Sequence, residues 1–229
     1  MDMRIAGAGK IPQGEYEKIS ISGSGKLFGK VLCTSFKASG SSKGESIECK
    51  ESFNVSGSAS FNENIKANDI HVSGSITTGG NMVAEESISI FGALKCGSAV
   101  KCNTFSVAGS SSVTGDIEAE GLTVKGVCNC DGLINAENID IKADRLMNIG
   151  SIGGSNIKIG RKPISIFLSR RTVVASSIEG DDISLEYVTC PSVVGRVVEI
   201  GDGCKIDLVQ YSEEIKISPK ATVGKTEKI

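Results

Sequence analysis

The chain contains no tryptophan, one histidine and only 4 prolines in 229 residues. Aromatic residues make up 4 % of it, so a core must be filled by Ile, Val, Leu, Ala and Cys. No window offers the roughly 18 consecutive apolar residues of a membrane span. The opening run Met1-Asp2-Met3-Arg4-Ile5-Ala6-Gly7 lacks the apolar stretch of a secretory signal. A cytoplasmic location is therefore expected, with cysteines 33, 49, 96, 102, 128, 130, 190 and 204 as reduced thiols. Neither sign of charge dominates: 25 Lys and Arg face 27 Asp and Glu, a formal net charge of −2. Nucleic-acid-wrapping proteins are usually basic, so that class of partner is not expected. No CxxC pair exists, which removes the usual half of a structural zinc site.

What the chain has instead is glycine, 28 residues of it, and 39 % hydrophobic residues. Glycines at 23, 40, 57, 74, 92, 109 and 126 recur at steps of 17 or 18. Four residues before each stands a large apolar residue: Ile19, Phe36, Phe53, Ile70, Ile88, Phe105 and Leu122. Two before stands another, from Ile21 and Ala38 to Val107 and Val124, and the residue between them is always polar. Ile139-Asp140-Ile141 continues the series with Ala143 in the glycine position. An apolar–polar–apolar triplet has period two, the signature of a strand with one face buried. A second triplet lies halfway round each repeat (Val31/Cys33, Ile65/Ala67, Ile117/Ala119), and a weaker third follows the glycine (Ile76/Thr78, Leu94/Cys96).

A 17-residue unit of three short strands has no way to bury its own inner face, whereas stacked copies do. The expected fold is all-β: a single-stranded, right-handed parallel β-helix with about 17 residues per coil. The hand follows from the spacing, because no six-residue pattern of a left-handed helix holds. The recurrent glycine reads as a corner needing positive φ. The expected organisation is an N-terminal extension or cap over 1–15, regular coils over 16–143, an irregular connection over 144–156, and less regular coils over 157–229. The core column would be Ile19, Phe36, Phe53, Ile70, Ile88, Phe105, Leu122 and Ile139.

The runs Gly115-Asp116-Ile117-Glu118-Ala119-Glu120-Gly121-Leu122-Thr123-Val124-Lys125-Gly126 and Ile21-Ser22-Gly23-Ser24-Gly25 resemble the coil pattern of bactofilins. The stretch from Asp182-Ile183-Ser184-Leu185 through Gly201-Asp202-Gly203-Cys204-Lys205-Ile206 is similar to the C-terminal part of longer, Gram-positive members. The resemblance implies a bacterial cytoskeletal protein that polymerises without nucleotide, joins like ends and positions other proteins. It also implies a homopolymer, with a paralogous bactofilin as a further potential partner. The chain departs from the pattern in having almost no tails and a longer solenoid.

Catalytic, cofactor and metal sites are not expected. Gly7-Ala8-Gly9-Lys10 and Gly23-Ser24-Gly25-Lys26 read superficially like phosphate loops but lack the upstream glycine and the following Ser or Thr, so they read as turns. His71 is placed in an outward polar column with no nucleophile assigned beside it. The polar column Asn68, Glu85, Asn103, Glu120, Glu137 offers at most a cation or sugar contact, and Asp181-Asp182 reads as a structural corner. Arg161-Lys162 and Arg170-Arg171 bracket Pro163-Ile164-Ser165-Ile166-Phe167-Leu168, a combination that would allow peripheral contact with an anionic membrane. The expected function is a self-assembling scaffold whose interface lies at the end coils: Ile215, Lys216 and Ile217 at one end, Ile19 and Ile21 at the other. The alternatives are a monomeric solenoid that binds or regulates a partner, and a carbohydrate-active β-helix enzyme.

Overall fold

The computed structural model describes residues 1–161 and 172–229. Among the described residues every regular element is a strand. The chain is a parallel β-solenoid of about 13 turns with stacked strands about 17 residues apart. It divides into two compact units, Met1–Gly115 and Asp116–Ile229.

In the first unit, one coil illustrates the rest. Ile65 and Ala67 point inward on a first face. The alternation is interrupted at Asn68-Asp69, both half-buried, and Ile70 and Val72 point inward on a second face. After Gly74, Ser75–Thr78 forms a third face with Ile76 and Thr78 inward. Each face pairs in parallel with the same face of the next coil, which stacks like residues. The first face carries Val31, Ile47, Ile65, Met82 and Val100 in register. The second carries Ile19, Phe36, Phe53, Ile70, Ile88 and Phe105. The anticipated core column is buried throughout, each member at 2 % exposure or less, including Leu122 and Ile139 of the second unit. Phe36 and Phe53 stack with centroids 4.8 Å apart, and Phe61 meets both edge-on. Phe61 fits because its neighbour in the column is Gly44, where a Cβ would lie 2.8 Å from the ring.

The corner glycines do not have the positive φ expected of them; among the described glycines only Gly14, Gly29 and Gly203 do. Their requirement is steric. A Cβ on Gly57 would stand 2.0 Å from the carbonyl oxygen of Gly40, and one on Gly74 would stand 1.9 Å from that of Gly57. That oxygen faces the next coil because it accepts a hydrogen bond there: Ser58 N–H donates to Gly40 O, and Ser75 N–H to Gly57 O, each at 2.9 Å. Glycine therefore recurs because two corners must approach within hydrogen-bonding distance.

Two boundaries are corrected. Residues 1–15 are not an extension: Met3–Ile5 pairs with Ile19–Ile21, and Ala8–Ile11 with Ser24–Leu27, so a full coil begins at once. Residues 144–156 are not an irregular connection, because Met147–Arg161 is a strand paired on both sides. Met147, Ile149 and Ile152 point inward there, and the glycines at 150, 153 and 154 hide the period. Gly154 sits where a Cβ would meet Ala136 O at 2.1 Å, so the same corner rule operates with a different sequence.

In the second unit Ile117, Ile134, Ile152, Ile178, Val193 and Val209 stack on one face. Ile139, Ile157, Ile183, Val198 and Ile215 stack on another. Ile157 and Ile183 are neighbours although 26 positions separate them, more than the expected coil of about 17 residues. The alternation at Ile164, Ile166 and Leu168 and the basic cluster around it lie outside the described residues, apart from Arg161.

Phe53→Asp buries a carboxylate in the Phe36–Phe61 cluster and should cost more than about 4 kcal/mol, unfolding the first unit. Gly57→Ala should cost about 3 kcal/mol by overpacking, whereas Gly7→Ala, with nothing within 4 Å of its Cβ, should be neutral. Urea midpoints of the three variants check the ranking; equal midpoints for Gly57→Ala and Gly7→Ala would contradict the corner argument.

Candidate functional site

The outer backbone edges of the end coils are where the solenoid leaves strand hydrogen bonds to be made. In Lys205–Ile217, residues Glu214–Ile217 pair on one side with Val197–Ile200. The chain then turns and Thr222–Lys228 pairs only with the earlier part of that strand, Lys205–Tyr211. Among the described residues no strand lies on the outer side of Glu214–Ile217. Ile215, Lys216 and Ile217 thus stand at an edge among the described residues. Ile215 is half-buried, and Ile217 is 42 % exposed although interior coils bury the matching residues Leu185 and Ile200. Lys216 points outward, 3.1 Å from Glu214.

The other proposed interface pair is misplaced. Ile19 and Ile21 are each 1 % exposed, with Met3–Ile5 paired on one side and Phe36–Ala38 on the other. They are interior because residues 3–5 supply the preceding coil. Among the described residues Met3–Ile5 and Ala8–Ile11 each pair on one side, and Ile5 and Ile11 are already buried. The triplet Met3-Arg4-Ile5 was the signal; its closeness to the terminus disguised it.

The outward faces carry little that is chemically poised. His71 Nε2 lies 2.9 Å from Ser73 Oγ, a contact not anticipated, and the ring leans on Phe91 with centroids 5.3 Å apart. Asp69 on the same strand is engaged by Asn68 and Ser87. Glu120 and Glu137 are both exposed, and Glu85 pairs with Lys66 at 3.7 Å. Asp182 accepts from Arg196 at 2.6 Å, and Arg196 also reaches Glu213 at 2.8 Å, clamping three coils. The two Gly-Lys runs are not turns: Gly9-Lys10 and Gly25-Lys26 lie in paired strands, in register with each other. In the second unit an open groove of about 470 Å³ is lined by Asn138, Asp140, Asn156, Lys158, Ser184 and Glu199. Asn156 donates to Asn138 at 3.0 Å within it. No group of three or more His, Cys, Asp or Glu is arranged for a metal ion among the described residues, and no helix there is long and apolar enough to cross a membrane.

All eight cysteines are free and buried. Cys190 and Cys204 of the less regular coils are buried like those of the regular ones. Cys33 and Cys49, neighbours in adjacent coils, bring their sulfurs to 3.3 Å. The contact with Cys33, reinforced by burial, pushes the Cys49 thiol up. Burial pushes Cys102 up to about 12, and burial reinforced by the neighbouring Cys128, Asp116 and Asp131 pushes Cys130 up to about 12. These groups are neutral thiols at physiological pH, packed as small apolar residues and unsuited to nucleophilic work.

No protein-family model matches the chain, and no solved structure does. Two relatives come from Bacillus subtilis (strain 168). Uncharacterized protein YhbF is 27 % identical over 99 residues, 43 % of this chain and 42 % of the relative. Uncharacterized protein YhbE is 29 % identical over 103 residues, 43 % of this chain and 44 % of the relative. The chain thus spans less than half the length of the relatives it matches.

A thiol whose pKa is raised on folding stabilises the fold fully below its unfolded value, and that contribution is lost as pH rises through the folded value. For Cys102 and Cys130 the window runs from the ordinary value of 9.0 to about 12. Melting temperature should fall across that window, and the Cys102→Ala/Cys130→Ala variant should fall less. A pH profile identical to that of the parent would contradict the assignment.

Proposed function

We propose that the chain is a structural scaffold that self-assembles end to end, coil stacking on coil, without nucleotide, and serves to position other proteins. The observation carrying this reading is the edge at Glu214–Ile217. Among the described residues its outer N–H and C=O groups meet no strand, and Ile215 and Ile217 repeat the apolar alternation of interior coils. Unpaired edges template pairing with another chain. The edge at Met3–Ile5 and Ala8–Ile11 has the same parallel strand geometry. The resemblance of the coil pattern to bactofilins supports the same reading, and it favours contacts between like ends. A cytoplasmic location and partnership with a paralogous chain belong to this proposal.

A second reading is a monomeric binding or regulatory module. The groove lined by Asn138, Asp140, Asn156 and Lys158 favours it, since amide, carboxylate and ammonium groups converge there on one outward face. Light scattering at rising concentration separates the two, because only the scaffold grows.

Lys216→Pro removes one edge N–H and obstructs strand pairing while sparing the core. Electron microscopy beside circular dichroism should show a folded protein with shortened filaments or none. Undiminished filaments would show that this edge is not the assembly surface. Filament length should also be unchanged by ATP, GTP or Mg²⁺; a nucleotide-driven change in sedimentation would overturn the proposal.

A further inference from the structure

The third face of the first unit has a charge arrangement unlike the others. Seven strands build it, from Ala8–Ile11 and Ser24–Leu27 to Ser110–Val113. Lys10, Lys26 and Lys43 stack on it in consecutive coils, in register and exposed. Successive strands lie about 4.8 Å apart, so three ammonium groups form a single file along the stacking direction. None of the outward positions on the seven strands is acidic.

On the first face the same stacking sets opposite charges together: Lys30 meets Glu48 at 2.9 Å and Lys66 meets Glu85 at 3.7 Å. Like charges set directly opposite on a sheet destabilise it. Among the described residues Lys10, Lys26 and Lys43 stand in no ion pair; Lys26 only caps the ring of Phe28, 4.9 Å from its centroid. Beside the ammonium file runs a hydroxyl file, Ser24, Ser41, Ser58 and Ser75, again in register. Two residues apart on the same side of a strand, Ser24 with Lys26 and Ser41 with Lys43 each present an O–H and an N–H donor. That combination suits the oxygens of a phosphate, for which lysine serves as a point charge.

We propose that this face is a docking strip for a linear phosphate polymer laid along the coil-stacking direction, with phosphates spaced along that polymer meeting Lys10, Lys26 and Lys43. The occupant is linear because the charges run in single file. It is not a bilayer, since Phe28 is the only large apolar side chain exposed on the strip. It carries no bases to be read, since a single aromatic ring makes no stacking platform. The proposal is independent of how the chain assembles.

The probe is inorganic polyphosphate, titrated into the full chain over a range of salt concentrations. Three contacts release counterions, so log K should fall against log salt with a slope of about −2, taking about −0.7 per single-strand phosphate contact. Lys10→Ser/Lys26→Ser/Lys43→Ser should lose at least tenfold in affinity and flatten the slope, while Lys37→Ser, on the second face, should bind as the parent does. The triple variant should also melt no lower than the parent at low salt, because relieved repulsion offsets the changed surface. Lys26→Ser alone, which keeps most of the face, should reduce the slope by about one contact. Binding by the triple variant within twofold of the parent would overturn the proposal. So would absence of polyphosphate binding, or tighter binding to single-stranded DNA or to phosphatidylglycerol vesicles than to polyphosphate.

Discussion

The structure depends on one repeated contact: the carbonyl of a corner glycine reaching into the next coil. Gly40 O accepts from Ser58, Gly57 O from Ser75, Gly74 O from Ala93 and Gly92 O from Ser110, each at 2.9 Å. These bonds hold successive second-to-third face corners in register. With the corner held, the flanking triplets stack like on like, and the apolar residue of each coil covers that of the next. The contact leaves no volume for a Cβ, so it selects glycine by space rather than by backbone dihedral.

Stacking like on like has consequences beyond the core. Inward, it turns single residues into columns, and those columns tolerate local exchange when neighbours compensate. Gly44 beneath Phe61 is one example. Outward, it makes every surface residue a member of a row. Rows of mixed sign knit the coils together, as Arg196 does between Asp182 and Glu213. The Lys10, Lys26 and Lys43 row is of one sign and makes no such cross-coil ion pair among the described residues.

The same geometry accounts for the ends. A solenoid satisfies its backbone by pairing with copies of itself, so its last coil presents what every interior coil has used. In the second unit the chain turns after Ile217 and covers Lys205–Tyr211 with Thr222–Lys228, and among the described residues no strand covers Glu214–Ile217. A scaffold function draws on that edge and asks for no catalytic residue.

Much of this was legible in the chain itself. Alternation at Ile19, Phe36, Phe53, Ile70, Ile88, Phe105 and Leu122, with glycine four positions on, determined the inward columns and the coil length, because period two and burial are local properties of a strand. The edge at Ile215–Ile217 followed from the same alternation. What only the tertiary structure decided was which residues meet across coils. It turned Met3–Ile5 into a coil that buries Ile19 and Ile21, and it threaded Met147–Arg161 into the stack through glycines that carry no periodic signal. It also set Ile183 on Ile157 across 26 positions and lined up Lys10, Lys26 and Lys43. The reason is that cross-coil register depends on the length and path of each corner, and corners are shaped by contacts with the neighbouring coil rather than by their own residues.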